Sequence, residues 1–346
     1  PTYQELLKLS PSAVSILVAI PVIVGSLGRV PLGALTDRLG GRLVFSVATL
    51  ACIVPVIWLG FAAGYIALLA GALLLGIGGA TFAVGVPFVN SWFPPSQRGL
   101  ALGIFGAGNI GTAVSGFVTP WLSDTYGRSM PFWVVAVALA VIGVLFLLLG
   151  RDAPDRKPAS TPFLRRFADA LALRSTKELS ALYAITFGGF VAFGVYLPLY
   201  LKSAYALSTS DAALRAAGFV VLATLLRPVG GALADRMPGV RLLRGVFAVI
   251  AVCAIVVSFT PAMPLATIAF LIMAAALGMG NGVVFALVAE RVPESMVGSA
   301  TGVVGAAGGL GGFLPPIVMG LIYSFTGSYS IGYMLLSDVA LAAFVY

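Results

Sequence analysis

Long apolar runs, most of them roughly 20 residues in length, follow one another along this 346-residue chain. A helix of that length crosses a hydrocarbon core about 30 Å thick. The composition agrees, because 60% of the residues are hydrophobic and only 9% are charged, with a mean hydropathy of +1.07. The sequence therefore predicts an all-α polytopic membrane protein. Eleven spans are predicted, at 11–36, 42–61, 65–91, 97–121, 131–150, 179–201, 212–234, 242–260, 264–289, 296–323 and 329–346.

The positive charges fall mostly on one side of these spans. Of the 20 lysines and arginines, fourteen lie in the loops of one side or in the central segment 151–178, and four lie on the other side. Cytoplasmic loops are enriched in Lys and Arg, so we place the central segment in the cytoplasm. We expect the protein in the inner (plasma) membrane. This orientation explains the net charge of +8 without nucleic-acid binding.

An internal repeat divides the chain. Residues Arg29-Val-Pro-Leu-Gly-Ala-Leu-Thr-Asp37-Arg38 recur as Arg227-Pro-Val-Gly-Gly-Ala-Leu-Ala-Asp235-Arg236, 198 positions later (227 minus 29). We predict an N-terminal half at 1–150, a cytoplasmic linker at 151–178 and a C-terminal half at 179–346. The repeat pairs span 11–36 with span 212–234. We therefore expect two pseudo-symmetric six-helix halves, with the first helix missing and the last one truncated.

The linker contains a stretch, 163–173, in which basic and apolar residues alternate at helical spacing. We interpret the segment as a plain linker between the halves with basic anchoring. The alternative is that this stretch forms a short amphipathic helix on the anionic lipid leaflet.

Each copy of the repeat places an arginine inside an apolar run, eight residues before an aspartate. A guanidinium in the hydrocarbon core costs about 2.5–3.5 kcal/mol on insertion scales. Arginine offers a planar fork of donors that matches an oxyanion and stays charged. Arg29 and Arg227 are therefore predicted to bind one shared anion. The alternative is that each snorkels to the cytoplasm or pairs with a backbone carbonyl.

The chain offers little for catalysis or metal binding. It has no histidine, and its acidic residues fall at predicted helix ends or in loops, apart from Asp338 in the last span. A catalytic carboxylate pair is therefore missing, and we expect neither an enzyme nor a cofactor or metal. Cys52 and Cys253 lie in apolar stretches and are predicted to be core residues. Asn90 and Asn281 are interpreted as gating or packing residues.

Gly33-Ala-Leu-Thr-Asp37-Arg38-Leu-Gly-Gly-Arg42 resembles the signature loop of the major facilitator superfamily, and 231–241 resembles its second copy. The resemblance implies twelve helices in two halves. The charged residues of both loops are expected to cap helices and to gate the cytoplasmic end. They are Asp37, Arg38, Arg42, Asp235, Arg236 and Arg241.

Two glycine-rich segments carry a narrower resemblance. Residues 103–120 and 302–316 resemble the paired nitrate signatures of the nitrate/nitrite porter family, nearer to its proton-coupled branch. This resemblance implies a bound nitrate or nitrite held by Arg29 and Arg227. It also implies further residues that contact the anion. For the glycines among them the alternative is close helix packing, and for the aromatic residues it is a core or lipid-facing position. These contacts are Asn109, Tyr183, Phe187, Gly106, Gly108, Gly305 and Gly308.

These observations predict a secondary transporter of nitrate, nitrite or both that works by alternating access. Two fixed positive charges hinder reorientation of an empty carrier and favour either exchange or cotransport with protons. The sequence offers no good proton carrier, which favours exchange, whereas the family branch favours nitrate/proton symport, which we expect. Alternatives are a nitrate/nitrite antiporter, a carrier of formate, cyanate or a short carboxylate, and an anion sensor. The expected partners are the small anion, protons and the lipid bilayer, and the expected state is a monomer.

Overall fold

The computed structural model describes residues 7–9, 11–154 and 162–345, and in these ranges almost the whole chain is helical. Three short 3-10 turns lie at Pro95–Gln97, Ala107–Asn109 and Glu294–Met296. Fifteen helices, α1 to α15 in chain order, run through the described residues. They are Pro11–Leu39, Gly41–Ala51, Ile53–Phe61, Tyr65–Ala80, Phe82–Trp92, Arg98–Gly106, Ile110–Tyr126, Met130–Leu149, Phe163–Ala172, Arg174–Tyr205, Thr209–Ala234, Gly239–Ser258, Met263–Arg291, Val297–Thr326 and Ser330–Val345.

Several neighbouring helices join into single membrane-crossing stretches, such as α2 with α3 over Gly41–Phe61. Within the described residues, seven stretches are long and apolar enough to cross a membrane, and the bent helix α10 makes an eighth if it is one span. The helices α1, α14 and α15 lie at the positions of the three remaining predicted spans. The prediction of an all-α polytopic membrane protein is confirmed. The amphipathic stretch of the linker is helical, as α9.

The described residues form two compact units. The first comprises those within Pro1–Trp92, Val114–Leu173 and Pro293–Ala306, and the second those within Phe93–Ala113, Arg174–Val292 and Ala307–Tyr346. Each unit thus includes a segment from the other part of the sequence. The start of α14 belongs to the first unit, and α6 belongs to the second. The division into halves at 1–150 and 179–346 stays a prediction.

Burial differs strongly between the helices. In the second unit, 72% of the most apolar window of α13 is buried, so this helix forms the interior of that unit. The corresponding value for α8 in the first unit is 11%. Since α8 is also the most apolar stretch, its exposed Val137 and Leu148 are suited to contact lipid tails.

Close backbone approach holds α11 against α13 in the second unit. A side chain at Gly278 would overlap the carbonyl oxygen of Ala223, so only glycine lets these two backbones touch. Two helices in this unit are interrupted. The helix α10 bends by 57° between Gly194 and Tyr196, and the 3-10 turn Ala107–Asn109 separates α6 from α7.

Candidate functional site

Arg227 lies almost fully buried in the second unit, with 2% of its surface exposed. Its guanidinium NH1 donates to the Gly106 carbonyl oxygen at 3.2 Å, and NH2 donates to the Tyr183 hydroxyl at 3.2 Å. The ring of Phe187 lies below it, with Cζ 5.6 Å from the ring centroid. A carbonyl, a phenol and a ring face orient the guanidinium without cancelling its charge.

The Gly106 carbonyl is available to Arg227 because the predicted span 97–121 changes its hydrogen-bond pattern at this point. In a continuous α-helix this carbonyl would accept from the Ile110 N–H. The 3-10 turn Ala107–Asn109 redirects the Ile110 N–H to the Ala107 and Gly108 carbonyls. Gly106 also leaves room for the side chain, because a Cβ there would lie 2.9 Å from Arg227 Nε. The 3-10 turn and the glycine therefore make the hydrogen bond between Arg227 and the Gly106 carbonyl possible.

Arg29 has the same arrangement in the first unit. Its NH1 donates to the Gly305 carbonyl oxygen, and its Nε donates to the Gly79 carbonyl oxygen at 3.3 Å. The Phe82 ring covers it, with Cζ 5.8 Å from the ring centroid. A Cβ at Gly305 would lie 2.9 Å from Arg29 Cδ. Arg29 is half-buried, so its environment is less dry than that of Arg227.

Both arginines thus pair with backbone carbonyls, as the alternative interpretation of the sequence expected. The carbonyls, however, belong to Gly106 and Gly305 in the two glycine-rich segments. These two contacts join residues 121 and 276 positions apart. A snorkelling side chain reaches along its own helix to water, whereas these guanidiniums cross to another helix.

Aromatic rings surround the Arg227 contact. The Tyr183 ring, fully buried, stacks on Phe187 with centroids 5.0 Å apart and planes inclined by 8°. The edge of Phe285 meets Tyr183 at 4.7 Å. Gly308 is part of this packing, because a side chain there would overlap the Tyr183 ring. Tyr183 therefore has one fixed position, with its hydroxyl held against Arg227.

Two further predicted residues, Asn109 and Gly108, lie on the 3-10 turn that follows Gly106. Asn109 is half-exposed, and its carbonyl accepts from the Thr112 hydroxyl at 2.8 Å. Gly108 is exposed, and a Cβ there would meet no atom within 4 Å. The turn that carries both residues packs against α11, the helix of Arg227. The structure thus brings Gly106 to Arg227, and it leaves Gly108 facing open space.

The duplicated aspartates cap the helices that carry the glycine carbonyls. Asp235 accepts from the N–H groups of Gly99 and Leu100 at 2.7 and 2.8 Å, at the start of α6. Asp37 accepts from the N–H groups of Gly298 and Ser299 at 3.1 and 2.9 Å, at the start of α14. A carboxylate at a helix N-terminus accepts hydrogen bonds from the unpaired backbone N–H groups and is stabilised by the positive end of the helix dipole. In each unit, one helix therefore holds the other at two points, by its arginine and by its aspartate.

The first unit adds a third partner to this aspartate. Arg166 of α9 is 6% exposed and pairs with Asp37 through NH2 at 2.7 Å. The same nitrogen donates to the Ser295 carbonyl oxygen, and the Ser299 hydroxyl donates to Asp37 at 2.7 Å. Burial raises the pKa of the Asp37 carboxyl, against the lowering effects of the Ser299 hydrogen bond and the Arg166 charge. Asp37 lies just beyond the predicted span 11–36. The linker helix is thus fastened to the first unit by a buried ion pair.

Of the four arginines in the two loops, one makes hydrogen bonds that define a structural role, and three are exposed. Arg42 donates from Nε and NH2 to the Leu147 carbonyl at 2.9 and 2.6 Å, at the end of α8. Its backbone N–H donates to Asp152 at 3.1 Å. Arg42 therefore caps a neighbouring helix. The other three arginines are exposed: Arg38, Arg236 and Arg241.

A comparison with protein families matches residues 1–345 to the model described as Major Facilitator Superfamily. The chain belongs to the major facilitator superfamily. Among solved structures, this facilitator resembles the transporter FucP in the outward conformation, with a TM-score of 0.80 over 100% of this chain and 91% of that one, at 14% identity. It also resembles the human organic anion transporter MFSD10, with a TM-score of 0.78 over 95% and 82% of the two chains, at 16% identity. These likenesses establish the fold alone.

Curated relatives narrow the family to that of the nitrate and nitrite transporters. The facilitator is 45% identical to the probable nitrate/nitrite transporter NarK2 of Mycobacterium tuberculosis (strain ATCC 25618 / H37Rv), over 100% of this chain and 89% of that protein. It is 43% identical to the nitrite extrusion protein of Bacillus subtilis (strain 168), over 98% and 85%. A third relative, 38% identical over 100% and 88%, is the probable nitrate transporter NarT of Staphylococcus carnosus (strain TM300). The predicted family is confirmed.

Sequence reasoning missed three participants in these contacts. Phe82 and Phe285 are aromatic residues in apolar helices, where a packing role is the default expectation. The sequence also gave no reason to single out Arg166 within the basic linker. A helical projection of 163–172 sets Arg165 and Arg166 about 100° apart, but it leaves open which one faces the protein.

The ion pair predicts that two neighbouring arginines of this facilitator behave differently. Arg166→Gln should destabilise the protein by about 1–3 kcal/mol, because it leaves Asp37 buried with fewer donors. Arg165→Gln removes the same charge from the same helix at an exposed position and should change stability by less than about 0.5 kcal/mol. Thermal unfolding of both variants in detergent measures this. Equal shifts in the two variants would contradict the proposed fastening.

Proposed function

We propose that this protein carries nitrate and nitrite across the inner membrane by alternating access, with the anion bound by Arg29 and Arg227. The observation that carries the proposal is the pair of guanidiniums, each held inside its unit by a glycine carbonyl and a ring face. Full-length relatives named as nitrate and nitrite transporters support the choice of anion.

The chemistry of the Arg227 site suits a small planar oxyanion. Arg227 is fixed by two hydrogen bonds and a ring, so little side-chain entropy remains to be lost when an anion binds. We propose that Tyr183 and Asn109 donate to the anion oxygens, and that Phe187 packs against the anion. Glycine at 106, 108, 305 and 308 keeps side chains away from the bound ion.

We further propose that the aspartate caps and the basic residues of the two loops gate the cytoplasmic end. Asp37 and Asp235 hold the first turns of α14 and α6. Release of such a cap would free the helix end to move, and coupling free energies of this kind are typically about 1–3 kcal/mol. We also propose that the central segment 151–178 lies on the cytoplasmic side. The proposed working state is a monomer embedded in lipid.

For the energy source we propose nitrate/proton symport, following the family branch that the sequence resembles. Nitrate/nitrite exchange is the second candidate. The sequence has no histidine, and its acidic residues fall at predicted helix ends or in loops apart from Asp338, so it offers no good proton carrier for symport.

Labelled nitrate uptake into proteoliposomes tests the proposal. One batch of vesicles is empty and has an inward proton gradient, and the other is loaded with nitrite and has no gradient. We expect uptake into the empty vesicles, and none with Arg227→Gln. Uptake only into nitrite-loaded vesicles would contradict symport and establish exchange. No nitrate uptake in either batch would contradict the proposal, and formate and cyanate would then be tested.

The Gly106 contact predicts a selective loss of nitrate affinity. Gly106→Ala places a methyl group 2.9 Å from Arg227 Nε, which displaces the guanidinium, so nitrate should bind about tenfold or more weakly, equivalent to about 1.4 kcal/mol. The matched control is Gly111→Ala, where a Cβ meets no atom within 4 Å. Equilibrium nitrate binding to the purified variants measures this. Unchanged affinity in Gly106→Ala would rule out a fixed Arg227 as an anion ligand.

A further inference from the structure

Asn281 carries an orphaned amide in the interior of the second unit. Asn281 is 1% exposed, and neither Nδ2 nor Oδ1 has a hydrogen-bond partner among the described residues. Buried polar side chains nearly always have partners, so a fully buried amide without one requires an explanation. A bound ligand is one such explanation, and the location of Asn281 decides whether it applies.

The helix α13 places Asn281 at the level of Arg227. A side chain at Gly280, the preceding residue, would lie 2.8 Å from the Thr186 side chain on α10. A side chain at Gly282, the following residue, would overlap the Arg227 carbonyl oxygen on α11. Successive residues of an α-helix point about 100° apart. Gly280 thus faces α10 and Gly282 faces α11, and the Asn281 side chain points between these two directions, into the space between α10 and α11. This space is called the wedge below.

The residues one turn away from Asn281 confirm this direction. Leu277 lies against Gly189 of α10, where a Cβ would be 3.1 Å from its side chain. Phe285 meets the Tyr183 ring of the same helix at 4.7 Å. Residues four apart lie on one face of a helix, so Asn281 faces the stretch of α10 between Tyr183 and Gly189. The hydrogen bond from Arg227 to Tyr183 crosses from α11 to α10 in this same wedge.

The internal repeat provides an independent argument. The predicted spans 65–91 and 97–121 recur as 264–289 and 296–323, at an offset of 199 positions that pairs Gly106 with Gly305 (305 minus 106). The same offset pairs Gly79 with Gly278, Pro94 with Pro293 and Gly103 with Gly302. At this offset Asn281 is the counterpart of Phe82. Phe82 is the ring that covers the Arg29 guanidinium. The second copy therefore has an amide at the position that contacts the arginine in the first.

We propose that Asn281 Nδ2 donates a hydrogen bond to the anion bound at Arg227, as a substrate-contacting residue of the second unit. This inference rests on the proposed function. An anion oxygen would satisfy the orphaned amide, and the neutral donor would add to the guanidinium without adding charge. In the second copy Phe187 covers the arginine instead, which frees the position of Asn281 for a polar contact.

The test compares nitrate affinity with stability. Asn281→Leu keeps the side-chain volume and removes the donor, so nitrate should bind about tenfold or more weakly, whereas the melting temperature without nitrate should be unchanged or higher. Asn281→Asp keeps the shape and replaces the donor with a negative charge, so it should weaken binding further. Ser337→Ala is the control, because Ser337 of α15 in the same unit has a buried hydroxyl with no hydrogen-bond partner in the described part of the chain.

Titration of purified protein with nitrate, followed by calorimetry, gives the dissociation constants, and thermal unfolding gives the melting temperatures. Wild-type affinity in Asn281→Leu would overturn the inference and leave the proposed function standing. If the leucine variant does not fold, wild-type affinity in Asn281→Asp overturns it equally. No nitrate binding by the wild-type protein would overturn the proposed function and this inference together.

Discussion

A guanidinium held by a glycine carbonyl is the interaction on which the rest of this structure depends. Arg29 pairs with Gly305 and Arg227 with Gly106, so each charge stays inside an apolar unit in a fixed orientation. A charge in such surroundings is expensive, and it is retained only with polar partners or with a ligand. The carbonyl satisfies some donors and leaves the charge in place. An anion is the chemical species that such a site stabilises best.

The contact requires more than an arginine, because two helix backbones must lie close enough for the side chain to reach. Glycines meet this requirement. In the second unit a side chain at Gly103 would lie 2.6 Å from the Pro228 Cα, and in the first a side chain at Gly302 would lie 2.5 Å from the Arg29 carbonyl. The capping aspartates then fix the register, since each grips the first turn of the same helix about two turns before the glycine. Arginine, glycine stripe and aspartate therefore form one structural device, present in both copies of the repeat.

The sequence predicted those residues of this device that are unfavourable in an apolar run or that recur in both copies of the repeat. Arg29 and Arg227 stand out because charges in apolar runs are rare, and Asp37 and Asp235 because they recur at the same spacing. Positions that depend on tertiary packing were not predictable. Arg166 is buried and Arg165 exposed, although both lie in the same basic helix. The sequence also did not indicate that Arg42 would cap α8, and the 3-10 turn that leaves Gly108 facing open space has no signal in a glycine-rich segment.

The central claim is that the geometry of the two guanidiniums, and not only their charge, binds the anion. Equilibrium nitrate binding to Arg29→Lys and Arg227→Lys tests it most directly, because lysine keeps the charge and removes the planar fork. The account predicts that each variant stays folded and binds nitrate about tenfold or more weakly than the wild type, the scale of one lost charge-assisted hydrogen bond. Wild-type affinity in both lysine variants would show that a point charge suffices, and would contradict the account.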